Sequence, residues 1–196
     1  MSSGGGGQLC LRWLLSEVAA RVVVMSAVVV VTGANRGLGL ASTNRLLREY
    51  NAVVVMCGRN GASLLTVAQD VAGKHSLSGD AVLDARDARL AASPPMVNAV
   101  TRIIVAQLDV SCSESVSNGA ADVQAVLGGR PIDALLNNAG VALDLPWHEG
   151  PPAADAARRT LAVNYFGVQR CTEAFLPLLR ESGGFLLWNT MQCVTD

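Results

Sequence analysis

Apolar runs of strand length recur along this chain at 28–31, 52–57, 102–108 and 134–137, with a fifth at 183–190. Near-continuous rather than alternating hydrophobicity marks parallel strands buried on both faces. Between these runs the period becomes helical. Residues 40–50 place Leu46 and Leu47 inward and Arg45, Arg48 and Glu49 outward, and 62–71 reads as a further helix. The segment 113–127 carries Glu114 near its start and Gly128-Gly129 at its stop. The longest helical stretch is 155–180, with Leu161, Val163, Phe166 and Val168 among its apolar members. Strands alternating with helices predict an α/β fold built on a parallel sheet.

Two segments depart from this rhythm. Residues 73–99 contain Gly73, Gly79, a Lys-His-Ser tract and Ser93-Pro94-Pro95, with a short helix predicted at 82–91. This is longer than an ordinary connection in such a sheet and reads as a surface insertion, with His75 solvated. Residues 1–26 form an extension before the first strand, glycine-rich at 4–7 and then apolar but interrupted by Arg12, Glu17 and Arg21. A later start at Met25, a disordered extension and an arginine-bearing organelle presequence all fit it. The longest uncharged run, 22–35, has 14 residues, short of the ~20 that span a bilayer. No membrane partner is expected, and a cytoplasmic location is the simplest reading.

Composition narrows the picture. The 196 residues are 51% hydrophobic and carry a net charge of −1, which predicts one sizeable domain over 27–196 and argues against nucleic acid as a partner. The five cysteines, at 10, 57, 112, 171 and 193, show no metal-ligand spacing. Lys74 is the only lysine.

The chemistry concentrates where the first apolar run ends, in Thr-Gly-Ala-Asn-Arg-Gly-Leu-Gly at 32–39. Gly33, Gly37 and Gly39 let the backbone turn sharply from strand into helix, and the amides at the helix start, near Leu38, then face a diphosphate. The spacing Gly-x3-Gly-x-Gly, together with Asn137-Asn138-Ala139-Gly140 at the end of a later apolar run, resembles the short-chain dehydrogenase/reductase family over 27–190. The resemblance implies a Rossmann-type doubly wound parallel sheet of about five strands in the order 3-2-1-4-5, incomplete at its C-terminal side.

The resemblance also assigns roles. Asn35, Arg36 and Leu38 join the three glycines as cofactor-binding residues of the turn. About 20 residues beyond it, where an acid would bind the ribose hydroxyl of NAD, stand Cys57 and, two residues on, Arg59. Arginines at 36 and 59 suit the 2′-phosphate of NADP, unless both are ordinary surface charges. Asp109 and Val110 match the residues that contact adenine, although Asp109 equally fits a strand-end cap. Asn138, Ala139 and Gly140 match the ribose and nicotinamide region, with Asn137 tying the sheet together. Asn164, in Leu-Ala-Val-Asn-Tyr-Phe-Gly at 161–167, matches an asparagine in a helix kink that orders water for a proton relay. Thr190 stands where the family carries a catalytic serine. Tyr165 is followed at the fourth position by Gln169 and is read as packing, and His148 as an exposed loop residue.

The continuation at 171–179 looks like the carbonyl reductase branch, implying NADPH as cofactor and a small ketone, aldehyde or quinone as substrate. The family draws its proton from a Tyr-x3-Lys pair, and no such pair occurs in the chain. Three readings follow from these residues: a reductase seen in part, a catalytically silent NADP-binding module, and an interaction protein using the bare edge of the fifth strand.

Overall fold

The computed structural model describes residues 26–90, 100–143, 154–181 and 183–188. The expected extension before residue 26 and residues 91–99 of the expected insertion lie outside them. Six strands and their helices follow in order: β1 (Val28–Thr32), α1 (Gly37–Tyr50), β2 (Val53–Gly58), α2 (Gly61–Lys74), β3 (Val82–Asp84), α3 (Ala85–Leu90), β4 (Ile103–Gln107), α4 (Ser113–Leu127), β5 (Ala134–Asn137), α5 (Ala154–Asn164), α6 (Phe166–Phe175) and β6 (Phe185–Trp188). The strands form one parallel sheet in the order β3-β4-β2-β1-β5-β6.

The unbroken apolar runs are strands because both faces of the sheet are covered. Val28, Val30, Val53, Val55, Cys57 and Ile104 point to one side, against Val116, Val123 and Val126 of α4 and Cys171 and Phe175 of α6. Their neighbours Val29, Val31, Val54, Met56 and Val105 point to the other, against Leu46 and Leu47 of α1 and Leu64, Ala68 and Val71 of α2. Each strand thus contributes alternate residues to two cores, and a polar residue in mid-strand would be buried unsatisfied. The chain leaves β1 for β2 on one side and returns to its other side as β5, so the strand order reverses at β1. A crevice at the C-terminal ends of the strands is the usual ligand site at such a point.

Three expectations change. The predicted helix at 82–91 begins instead as β3, whose Val82 and Leu83 pair with Ile103 and Ile104; pairing along the edge of β4 outweighs a helical pattern too short to decide. The sheet therefore has six strands, with the expected order retained from β4 to β6. The predicted helix at 155–180 is broken at Tyr165 (φ −114°, ψ −65°) and its regular part ends at Phe175. Pro177 follows in a tight turn, because its ring denies the helix an N–H and crowds the preceding turn. Finally, His75 is half-buried, with Nε2 3.0 Å from Asn44 Oδ1.

Candidate dinucleotide site

At the end of β1 the chain turns through Gly33 (φ +66°) and Gly37 (φ +54°) into α1. A Cβ on Gly39 would lie 2.3 Å from the Gly33 carbonyl oxygen and 2.5 Å from Asn138 Nδ2, so helix and turn approach as only glycine permits. Gly37 has no atom within 4 Å of where its Cβ would be, and Asn35, Arg36, Gly37 and Leu38 form an exposed rim. Arg36 stands at the helix N-cap without a side-chain cap hydrogen bond, and the first turn contains no acid. The leading amides of a helix normally need such a partner, and an open, acid-free start fits a diphosphate.

Thr32 fastens this turn to the next loop. Its Oγ1 accepts hydrogen bonds from the Asn138 and Ala139 amides, at 2.9 and 3.0 Å, while Asn138 Nδ2 donates to the carbonyls of Thr32 (2.9 Å) and Gly33 (3.3 Å). The Asn138 side chain thus holds the glycine turn itself. Asn137 is buried, and its Nδ2 donates to Thr172 Oγ1 of α6 at 3.2 Å. Ala139 and Gly140 follow at the rim, half-buried and exposed.

Beside the turn, Thr32 is in register with Cys57 and Gly58 with Gln107, so Arg36, Arg59 and Asp109 leave neighbouring strands at one end of the sheet. Cys57 cannot face a ribose there, because its side chain is wholly buried in the core. Burial, aided by nearby Cys171, pushes its thiol far up; the Cys171 thiol is pushed up to about 12, again mainly by burial. The exposed positions after β2 are Arg59 and Asn60, and neither is acidic. Asp109 Oδ1 accepts from the Ser111 amide and hydroxyl, at 2.9 and 2.7 Å, in the geometry of a strand-end turn. Val110 is buried against Gly167 of α6.

Asn164 ties the helix break to the loop after Gly140. It ends α5 at the helix break, its Oδ1 accepting from the Val141 amide at 2.9 Å and its Nδ2 donating to the Val141 carbonyl at 2.8 Å. The break also leaves the Ala162 carbonyl to be met by Arg170 Nη1 at 3.2 Å, which reaches the Val110 carbonyl at 3.3 Å as well. Tyr165 is exposed, its ring edge-on to Phe166 at 5.1 Å, and not packed in the core as expected. Thr190 and His148 lie outside the described residues.

Sequence reasoning passed over Thr32, Val141 and Arg170. A hydroxyl ending an otherwise apolar strand, directly before the first glycine, was a readable sign of Thr32. Val141 and Arg170 act through the main chain of distant residues and leave no local pattern. Among the described residues no helix is long and apolar enough to cross a membrane.

The short chain dehydrogenase family model matches residues 78–187, more than half of the chain. The chain is 28% identical over 178 residues to dehydrogenase/reductase SDR family member 7B of Rattus norvegicus, covering 89% of this chain and 46% of that one. It is likewise 28% identical over 170 residues to carbonyl reductase [NADPH] 3 of Homo sapiens, covering 86% and 50%. An NADPH-bound short chain oxidoreductase of Pseudomonas aeruginosa, described as containing an atypical catalytic center, superposes with a TM-score of 0.57 at 27% identity, covering 78% and 49%. The chain spans about half the length of the curated relatives it matches. With its glycine turn fastened to an Asn-Asn-Ala-Gly loop across the switch point of a parallel sheet, the chain belongs to the short-chain dehydrogenase family.

Proposed function

We propose that this chain is the dinucleotide-binding part of an NADPH-dependent oxidoreductase that reduces a ketone, aldehyde or quinone, in the manner of carbonyl reductases. The observation that carries the reading is the pair of exposed arginines, Arg36 and Arg59, on adjacent strand ends with no carboxylate at the end of β2. A planar guanidinium pairs with phosphate oxygens, whereas an acid there would repel them. The similarity to a human carbonyl reductase whose name specifies NADPH supports the same choice.

When bound, NADPH supplies the hydride that reaches the carbonyl carbon. The start of α1 and the glycine turn would hold the diphosphate, Arg36 and Arg59 the 2′-phosphate, Asp109 and Val110 the adenine side, and residues 138–140 the nicotinamide side. Asn164 keeps the loop after Gly140 fixed through Val141. Thr190 is the hydroxyl proposed to donate to the carbonyl oxygen.

A second reading, a nucleotide-binding module without turnover, rests on one sequence fact. Tyr50 and Tyr165, the only tyrosines, are followed at the fourth position by Val54 and Gln169, so the chain contains no Tyr-x3-Lys.

Calorimetric titration of the 196-residue chain with NADPH and NADH tests the common part. NADPH should bind more tightly, and Arg59→Asp should weaken it by about tenfold or more, the worth of a charge-assisted hydrogen bond replaced by repulsion. Equal affinity for both nucleotides would overturn the NADP assignment. NADPH oxidation with an added quinone then bears on the second reading: turnover by this chain would overturn the silent module.

A further inference from the structure

The stretch expected to be a plain surface insertion contributes β3 and α3, and with them a polar chain that ends at Arg59. The Asp84 side chain is 9% exposed and accepts from Arg86 three times: Oδ2 from Nη2 at 2.7 Å, and Oδ1 from Nε at 3.2 Å and from the amide at 3.0 Å. The remaining arm of the guanidinium, Nη1, donates to Gln107 Oε1 at 2.9 Å, and Gln107 Nε2 donates to the Arg59 carbonyl at 3.2 Å. The carboxamide and guanidinium lie across the start of α2, for a Cβ on Gly61 would come within 2.8 Å of Gln107 Oε1 and 3.2 Å of the Arg86 guanidinium.

The main chain around Arg59 is therefore held at three successive residues. The Gly58 carbonyl accepts from the Leu108 amide at 3.0 Å, the Arg59 carbonyl from Gln107, and the Asn60 carbonyl from the Leu64 amide at 2.9 Å, while Asn60 Oδ1 caps α2 by accepting from the Ser63 amide at 3.0 Å. The Arg59 side chain, by contrast, is exposed. A fixed backbone under a free guanidinium is what phosphate recognition requires, because less ordering remains to be done on binding.

We infer that Asp84, Arg86 and Gln107 form a positioning relay that sets the Arg59 main chain for the 2′-phosphate, making the edge strand β3 a determinant of NADP over NAD. The inference rests on the proposed role of Arg59. Their proposed action is through the Arg59 main chain and not by contact with the cofactor.

Calorimetric titration of the full chain with NADPH and NADH decides it, with thermal midpoints measured alongside. Gln107→Leu and Arg86→Met should each weaken NADPH about tenfold while NADH stays within about twofold, because the lost order affects only the phosphate contact. Gly61→Ala removes no polar group but displaces the Gln107 carboxamide, so it should lower the NADPH preference severalfold at an unchanged midpoint. That variant decides the matter if the other two fail to fold. If Arg59→Met abolishes the preference but Gln107→Leu and Gly61→Ala leave it intact, the relay is refuted and the Arg59 reading stands. If the wild-type chain shows no preference for NADPH, both fall together.

Discussion

The glycine-turn side of the sheet and the α5–β6 side are held in different ways. Around β1, β2 and β4 nearly every strand residue is buried, and the loops that follow are tied to one another through Ala34 to Cys57, Leu108 to Gly58, Gln107 to Arg59 and Asn138 to Thr32. Across β5 the pattern loosens. None of the residues of α5 is buried, and Leu161, Tyr165, Phe166, Leu176 and Leu186 are exposed, Leu161 at 54% and Leu186 at 43%. α6 is the exception, anchored by Cys171 and Phe175 in the same core as β1 and β2. The dinucleotide side thus takes its shape from contacts among the described residues themselves. On the α5–β6 side, the described residues offer apolar surface instead.

The contrast can be broken or sharpened by experiment. Gly39→Val should have the largest effect, because its new Cβ meets a backbone oxygen at 2.3 Å that cannot swing aside. A loss of about 3 kcal/mol is expected for such overpacking, with NADPH binding lost as well. A urea melt within about 0.5 kcal/mol of wild type would show that the turn is not the fixed region described here.

Alkali tests the core shared by both sides. Burial holds the Cys171 thiol at about 12, against an ordinary 9.0. A group whose folded pKa is raised contributes stability that is intact below its unfolded pKa and is lost as pH climbs toward the folded one. Near pH 10.5 this thiol alone costs roughly 2 kcal/mol, and Cys57, also raised, adds to the loss. Cys171→Ala should therefore lose less stability than wild type between pH 7 and pH 10.5. Equal losses in the two proteins would mean that the thiol is not held neutral.

Asn164→Ala, at the junction of the two regions, removes both hydrogen bonds to Val141. It should cost about 1–2 kcal/mol and speed hydrogen exchange at the Val141 amide, and unchanged exchange would contradict the clamp. The smallest effect is expected from Leu161→Ala, which should stay within about 0.5 kcal/mol of wild type because the side chain is mostly exposed. A larger loss in the melt would show that α5 is packed in solution.

Much of the fold was legible because its causes are local. The runs at 28–31, 52–57 and 134–137 and the helix at 113–127 lie within a residue or two of the observed elements. Two-sided burial demands continuous hydrophobicity, and Gly128 terminates α4 in the left-handed conformation that its sequence advertised. The candidate site was legible as a set of positions, since the turns after β1, β2, β4 and β5 emerge at one end of the sheet. The work of individual side chains was less legible. Cys57 points into the core because strand alternation puts it there, and Asn138 turns back onto Thr32 and Gly33, partners 106 and 105 residues away.

The sequence by itself determined most of the strands and helices and the left-handed turns at glycine, because period, composition and positive φ are properties of neighbouring residues. Only the tertiary structure decided that 82–84 joins the sheet, that the long helix breaks at Tyr165, and that Arg86 reaches Arg59 through Gln107. Each depends on a strand edge, a carbonyl or a carboxamide delivered from a remote part of the chain, and such a partner leaves no trace in the local pattern of the residues it captures.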